Sequence, residues 1–231
     1  MQFIRLTMQR GTVSIVARDR RTGDYGVAST TAAPCVGAFL PFAQEGIGAI
    51  ATQAWVNVNL GFQGLVLMGQ GLPVKTALET LLSEDEGSAR RQVIGIDANS
   101  CYGFTGDECT DSKGHVLGND FAVAGNILVS LRVLEAMADA FKKSKGELAH
   151  RLLRVLEAGQ EVGGDRRGKM SATLLVASPK PKLYHDLRVD FHDHPLEELK
   201  RIFGKCERMQ EEEGDDDGGE VLRYRVPTVR R

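Results

Sequence analysis

The sequence predicts an α+β fold of antiparallel sheets with helices stacked outside them. Three observations predict it. Strand-like segments come in hairpins, helix-like segments come in consecutive pairs, and the order is β-rich, two helices, β-rich, two helices, β-rich. A doubly wound parallel sheet would alternate strand and helix one by one, so it is disfavoured. Most strand segments are apolar on both faces, which predicts sheets covered on both sides.

Residues 12–19, "TVSIVARD", alternate and are β-branched, the mark of a strand. A turn centred on Gly23 returns the chain through "YGVAST". "VGAFLPF" and "GIGAIATQA" read as two more strands, whose small residues allow close packing. From Gly61 the period becomes helical, through "FQGLVLMGQG" and "PVKTALETLLSEDE", with Pro73 suited to a first turn. "RRQVIGIDANSCYGFTG" is a second hairpin turning at "DANS". "DFAVAGNIL" is a strand leading into a helix over 127–144, with Leu128, Leu131, Leu134, Met137, Ala138 and Phe141 on one side. A helix over 147–159 follows Gly146. "MSATLLVAS" and "LYHDLRVDF" are strands, and "PLEELKRIFGK" is a short helix with Pro195 in its first turn.

The 231 residues suit one domain, and the net charge of −2 points to neither nucleic acid nor an anionic membrane. No apolar run approaches the roughly 20 residues that span a bilayer. The start "MQFIRLTMQRG" has no apolar core, so it does not read as a secretory signal and a cytoplasmic location is expected. The four cysteines form no CxxC pair, which argues against a structural zinc site. Reduced thiols are the default in that compartment; a Cys101–Cys109 bridge across the hairpin "CYGFTGDEC" is the alternative. Residues 207–231 change character: an acidic run with glycines reads as a solvated linker, and "VLRYRVPTVRR" as a mobile tail or an added edge strand.

Several segments together resemble the DUF1028 family, which is grouped with the N-terminal-nucleophile (Ntn) hydrolases. They are "TVSIVARD", "GAIATQAWVN", "RRQVIGIDA", "FTGDEC", "VAGNILV", "EAMADAF", "RLLRVLEAGQEVGGDRRGKMSATLLV" and "DLRVDFHDHPLEELKRI", in order over roughly residues 12–204. The resemblance implies a four-layer αββα sandwich whose catalytic residue heads a β-strand. It divides the chain into a leader (1–11), an Ntn-hydrolase-like domain (12–206) and an acidic linker with a basic tail (207–231). Family members commonly begin near Met-Thr-Phe-Ser-Ile-Val; here the matching residue is Thr12, with eleven residues before it. Ntn-fold proteins often associate, so the resemblance also implies a homo-oligomer.

A free N-terminal Thr carries both nucleophile and base: its hydroxyl attacks a carbonyl, and its α-amine, with an unperturbed pKa of about 7.7–8.0, takes the proton. An internal Thr has no such amine, so Thr12 acts only if the Gly11–Thr12 bond is cut or, for a start at Met8, after loss of "MQRG". Gly11 removes bulk from that bond. The alternative is a Thr12 that merely begins a strand with its hydroxyl satisfied. Asn126 and amides near Gly125 are candidate oxyanion donors, with a helix N-cap as the alternative role for Asn126. The family often has Gln where this chain has Ala124, and Gln again where it has Met170. In "GGDRRGKMS", Asp165 would hold an ammonium or orient the nucleophile, and Arg167 would clamp a carboxylate. Thr52, Gln53, Asn57 and Lys169 are candidate substrate contacts, with Trp55 as an apolar wall. Asp190, His192 and His194 would share a strand face and could bind a metal, or Asp193 would cap a helix; no metal and no cofactor are expected. His115 and His150 read as surface residues, and Cys109 as a buried or loop thiol.

Two functions follow. One is an Ntn-type amidohydrolase cleaving a small amide or peptide-like bond after leader removal. The other is a non-catalytic ligand-binding or assembly protein of the same fold that keeps its leader.

Overall fold

In strand β1 (Thr12–Asp19) alternate side chains face opposite ways. Val13, Ile15 and Ala17 enter one apolar cluster and Val16 another. That division builds the layers. The structure is a computed structural model and describes residues 11–213.

Hairpin partner β2 (Asp24–Thr31) pairs with β1 antiparallel on one side. Strand β8 (Phe121–Asn126) pairs with it on the other. With β7 (Gly114–Leu117), β9 (Ser171–Ala177) and β10 (Asp186–Val189) they form a six-stranded sheet in the order β10-β9-β2-β1-β8-β7. A second antiparallel sheet holds β3 (Pro41–Gln44), β4 (Gly48–Ala54), β5 (Arg91–Ile96) and β6 (Cys101–Thr105) in chain order. Helices α3 (Arg132–Lys143), α4 (Leu148–Glu161) and α5 (Pro195–Glu213) cover the outer face of the first sheet. Helices α1 (Val58–Gly69) and α2 (Val74–Ser83) cover the second. A middle core of Val16, Val27, Ala51, Ile94, Ile96 and neighbours lies between the sheets. The chain is therefore the expected four-layer αββα sandwich. Close packing requires Gly61 on α1, where a Cβ would overlap the Phe42 ring.

Four local expectations change. "VGAFLPF" is not one strand: a 3-10 turn occupies Val36–Ala38 before β3 starts at Pro41. The helix predicted from 127 starts at Arg132. Tertiary hydrogen bonds take the backbone of 127–129 instead: Ile127 N donates to Thr110 O, Leu128 N to Ser112 O and Val129 N to Gly164 O. Helix α5 runs to Glu213, through the start of the acidic stretch read as linker, because Glu, Met, Gln and Arg are good helix formers. Strand β7, only four residues long, forms where the sequence pattern predicts no element. The four cysteines are free thiols, so the Cys101–Cys109 bridge does not form; buried Cys109 donates to Arg91 O instead. No described helix is long and apolar enough to cross a membrane. Residues 1–10 and the basic end of the chain lie outside the described residues.

One ion pair ties α1 to β5. Asp85 accepts from Arg91 Nε at 2.8 Å, from Asn57 Nδ2 at 2.8 Å and from Gly87 N at 3.0 Å. Chiefly the Arg91 bond pulls its carboxyl down to about 2. A depressed carboxylate stabilises the fold above its unfolded pKa, and that stability is lost as pH falls toward the folded value. Asp85→Asn should therefore cost about 2 kcal/mol at neutral pH. It should also flatten the loss of stability between about pH 4 and pH 2, read by urea unfolding across that range.

Candidate active site

The register of the six-stranded sheet lines polar side chains into rows. Thr12 pairs with Thr31 and Asn126, and Thr31 pairs with Ser171. Two residues along, Ser14 pairs with Ser29 and Ala124, and Ser29 with Thr173. The next row is apolar, with Val16, Val27, Ala122 and Leu175. With a period of two, all these side chains face the second sheet. There the row Gln53–Gln92–Thr105 lies ahead of Ala51–Ile94–Gly103. The seam between the sheets is thus polar at the Thr12 end and apolar in its middle. Buried Arg18 closes the far end, donating to Asp120 Oδ1 at 2.8 Å, to Asn119 O at 3.0 Å and to Asp97 O.

Buried polar groups need partners, and the seam supplies them. Gln92, fully buried, is the hub. Its Oε1 accepts from Gln53 Nε2 at 2.6 Å and from Asn126 Nδ2 at 2.9 Å. Its Nε2 lies within bonding distance of Thr105 Oγ1 (2.9 Å), Gly114 O and Gly125 O (3.0 Å each). Ser14 Oγ donates to Gln53 Oε1. Thr105 Oγ1 is 2.9 Å from His115 Nδ1, and burial lowers the imidazole's pKa, favouring the neutral ring. His115 is thus a network member rather than a surface residue. The network links three strands of one sheet to three of the other.

At the head of β1 the Thr12 hydroxyl, 3 % exposed, donates to Thr31 Oγ1 at 3.3 Å. Thr31 Oγ1 in turn donates to the Gly11 carbonyl oxygen, which also accepts from Arg167 Nη2 at 3.2 Å. Arg167 is held by Asp165, through Nε at 3.3 Å and Nη2 at 3.1 Å, while Asp165 Oδ1 also accepts from Arg167 N at 2.9 Å. Asp165, 5 % exposed, is anchored by a β-bridge to Leu128. A Cβ on Gly11 would fall 2.6 Å from Asp165 Cγ, so a side chain at this position requires the carboxylate to move.

The backbone turns sharply where β4 and β8 leave the seam. Ala54, after Gln53, and Ile127, after Asn126, both adopt left-handed angles, with φ 64° and 54°. For a β-branched residue this conformation costs about 1–3 kcal/mol. Arg166 N donates to Ile127 O at 2.9 Å and helps hold it.

The structure brings Thr12, Asp165 and Arg167 together around one peptide bond. Asn126 and Gln53 lie beside them in the seam. Asn126 is not a helix cap, since α3 begins six residues later. Thr52 is fully buried, its hydroxyl on Asn57 O at 3.3 Å. Asn57 is the N-cap of α1, accepting from Asn59 N. Lys169 pairs with Glu197 of α5 at 3.0 Å. The guanidinium of Arg90 lies 5.6 Å from the centre of the Trp55 ring. Strand β10 ends at Val189, so Asp190, His192 and His194 do not share a strand face; Asp190 pairs with Arg188, and His194 N donates to His192 Nδ1. Among the described residues no three His, Cys, Asp or Glu side chains are grouped to hold a metal. His150 pairs with Glu207 at 2.8 Å, beside a cleft of about 590 Å³ between α4 and α5, away from Thr12. Sequence reasoning missed Ser14, Thr31, Gln92 and Thr105. Each is one polar residue among several in its strand, and only the pairing register gathers them at one end of the seam.

The chain matches the family described as "Family of unknown function (DUF1028)" over residues 12–199. It belongs to that family. A crystal structure of a DUF1028 protein from Silicibacter pomeroyi is 33 % identical, with a TM-score of 0.78 over 85 % of this chain and 89 % of that one. A structure of Thiobacillus denitrificans BPH in complex with epoxomicin overlaps at a TM-score of 0.40 and 13 % identity, over 74 % of this chain and 100 % of that one. That overlap is too low to carry an argument. Among curated proteins none matches the chain.

The network makes Gln92 the most consequential polar side chain of the seam. Gln92→Leu strips partners from Gln53 and Asn126 inside the core. It should cost about 3 kcal/mol, by the usual penalty for buried unpaired groups, measured as a lowered urea midpoint.

Proposed function

We propose that this DUF1028 protein is an Ntn-type amidohydrolase. Thr12 is the nucleophile, acting once residues 1–11 are removed, and the substrate is a small amide or short peptide-like bond. The observation that carries this reading is the setting of Thr12. Its hydroxyl stands at the head of a central strand, at the polar end of the seam, beside a carbonyl that two donors already hold. Once the Gly11 carbonyl departs, Thr31 Oγ1 and Arg167 Nη2 turn to a substrate oxygen. The freed α-amine takes the Thr12 proton, and its pKa near working pH suits that task. One Asn126 amide hydrogen goes to Gln92 and the other is left for the oxyanion. Free thiols fit a reducing cytoplasm, and exposed Leu117 and Leu131 fit association into a homo-oligomer.

The second reading, a ligand-binding or assembly protein that keeps its leader, draws on the burial of Thr12 and the satisfied Gly11 carbonyl in the intact chain.

A chain released at Thr12 by a protease acting on an upstream fusion separates the two. Assayed on a panel of acyl p-nitroanilides and small amides, it should turn over at least one of them. Its rate should rise with pH through about 7.7–8.0 as the amine loses its proton. Thr12→Ala in the same chain should lower turnover at least about a thousandfold. Equal turnover in Thr12→Ala overturns Thr12 as the nucleophile, and no turnover by either chain across the panel favours the second reading.

A further inference from the structure

We propose that the cleft between α4 and α5 is a second binding site, remote from Thr12, for a small zwitterion: a free amino acid or a short peptide with both ends uncapped. The site stands whether or not Thr12 is a nucleophile.

The cleft exists because a ladder of cross-helix pairs stops short. Helices α4 and α5 run antiparallel, and facing side chains pair rung by rung. Lys200 of α5 pairs with Glu157 of α4, and two turns along, Glu207 pairs with His150 at 2.8 Å. The next rung, one turn further, sets Glu211 opposite residue 146. Residue 146 is Gly, at φ 100°, and nothing stands within 4 Å of where its Cβ would be. Glu211 therefore lacks its partner from the α4 side, and the cleft of about 590 Å³ opens at that place.

The polar groups round the cleft divide into spent and unspent. Glu147 is spent: its Oε1 accepts from Lys182 Nζ at 2.6 Å and its Oε2 from Tyr184 Oη at 2.8 Å. Glu207 is held by His150, and Gln210 Oε1 accepts from Leu183 N at 3.1 Å. Lys145 and Arg154 are left over on the α4 side and Glu211 on the α5 side; among the described residues none of these forms an ion pair. Arg154 is nevertheless not loose. Its Nη1 donates to Lys145 O at 3.0 Å, which fixes the guanidinium beside the cleft and leaves its Nε and Nη2 hydrogens for a carboxylate.

The unspent charges thus have one sign on each wall. An anion alone would meet Glu211, and a cation alone would meet Lys145 and Arg154, so either gains on one wall and loses on the other. A molecule carrying both an ammonium and a carboxylate gains on both. Its ammonium completes the missing rung on Glu211, and its carboxylate lies on the Arg154 fork with Lys145 beside it.

The test titrates the 231-residue chain with leucine, leucylglycine and triglycine, each also in its N-acetylated and its C-amidated form. Calorimetry reads affinity, and the NMR shifts of the Gly146, Glu147 and Gln210 amides read the place of binding. At least one zwitterion should bind with a Kd of about 1 mM or tighter and move those amides. Either cap should weaken it about tenfold or more, the range for losing one charged hydrogen bond. Arg154 and Glu211 are exposed, so replacing them leaves the core intact. Arg154→Gln should erase the preference for the free carboxyl over the amide. Glu211→Gln should erase the preference for the free amine over its acetylated form. A general loss of structure would not separate the two ends of the ligand in this way. Thr12→Ala should bind as the wild type does, which keeps this result apart from any result on turnover. Binding by no zwitterion of the panel, binding that leaves those amides unmoved, or equal binding of capped and uncapped forms overturns the proposal.

Discussion

Everything at the Thr12 end depends on burying amides and hydroxyls between two sheets without leaving any of them unpaired. An unpaired buried polar group costs more than a formed hydrogen bond returns. The seam meets this demand with Gln92, which engages both sheets and through Asn126 reaches the strand beside Thr12. The spacing of the sheets is thereby set by an amide at one end and by apolar contact in the middle. A site placed at the amide end gains rigid walls, which a chemistry of fixed donors needs.

The strained residues fit the same frame. Ala54 and Ile127 turn the chain out of the seam just after Gln53 and Asn126, where a relaxed continuation would carry the strands past the site. Hydrogen bonds from neighbouring loops hold Ile127 in place, including one from Arg166, next to the residue that grips Gly11. The loop over 163–168 and the end of β8 therefore position one another.

The layers were legible in the sequence because hairpins and paired helices leave strong periodic marks, and Thr12 as the head of a central strand was legible for the same reason. So were Asp165 and Arg167 as candidate site residues of one short polar loop, although their mutual pairing was not. The network was not. Gln92, Ser14, Thr31 and Thr105 each look like an ordinary polar residue in a strand, and only register across separate strands collects them. The helix start was misjudged because Leu128 and Leu131 continue a helical period that tertiary hydrogen bonds override. The reach of α5 was misjudged because an acidic run reads as solvated chain, whereas glutamates also favour helix.

The gradient along the seam gives the sandwich a direction. Val16 and its row form a dry stop, and Arg18 behind them is already committed to Asp120, Asn119 and Asp97. The seam therefore passes along its length from a lattice of paired amides to a dry floor, so a substitution is felt as lost partners at one end and as lost contact at the other.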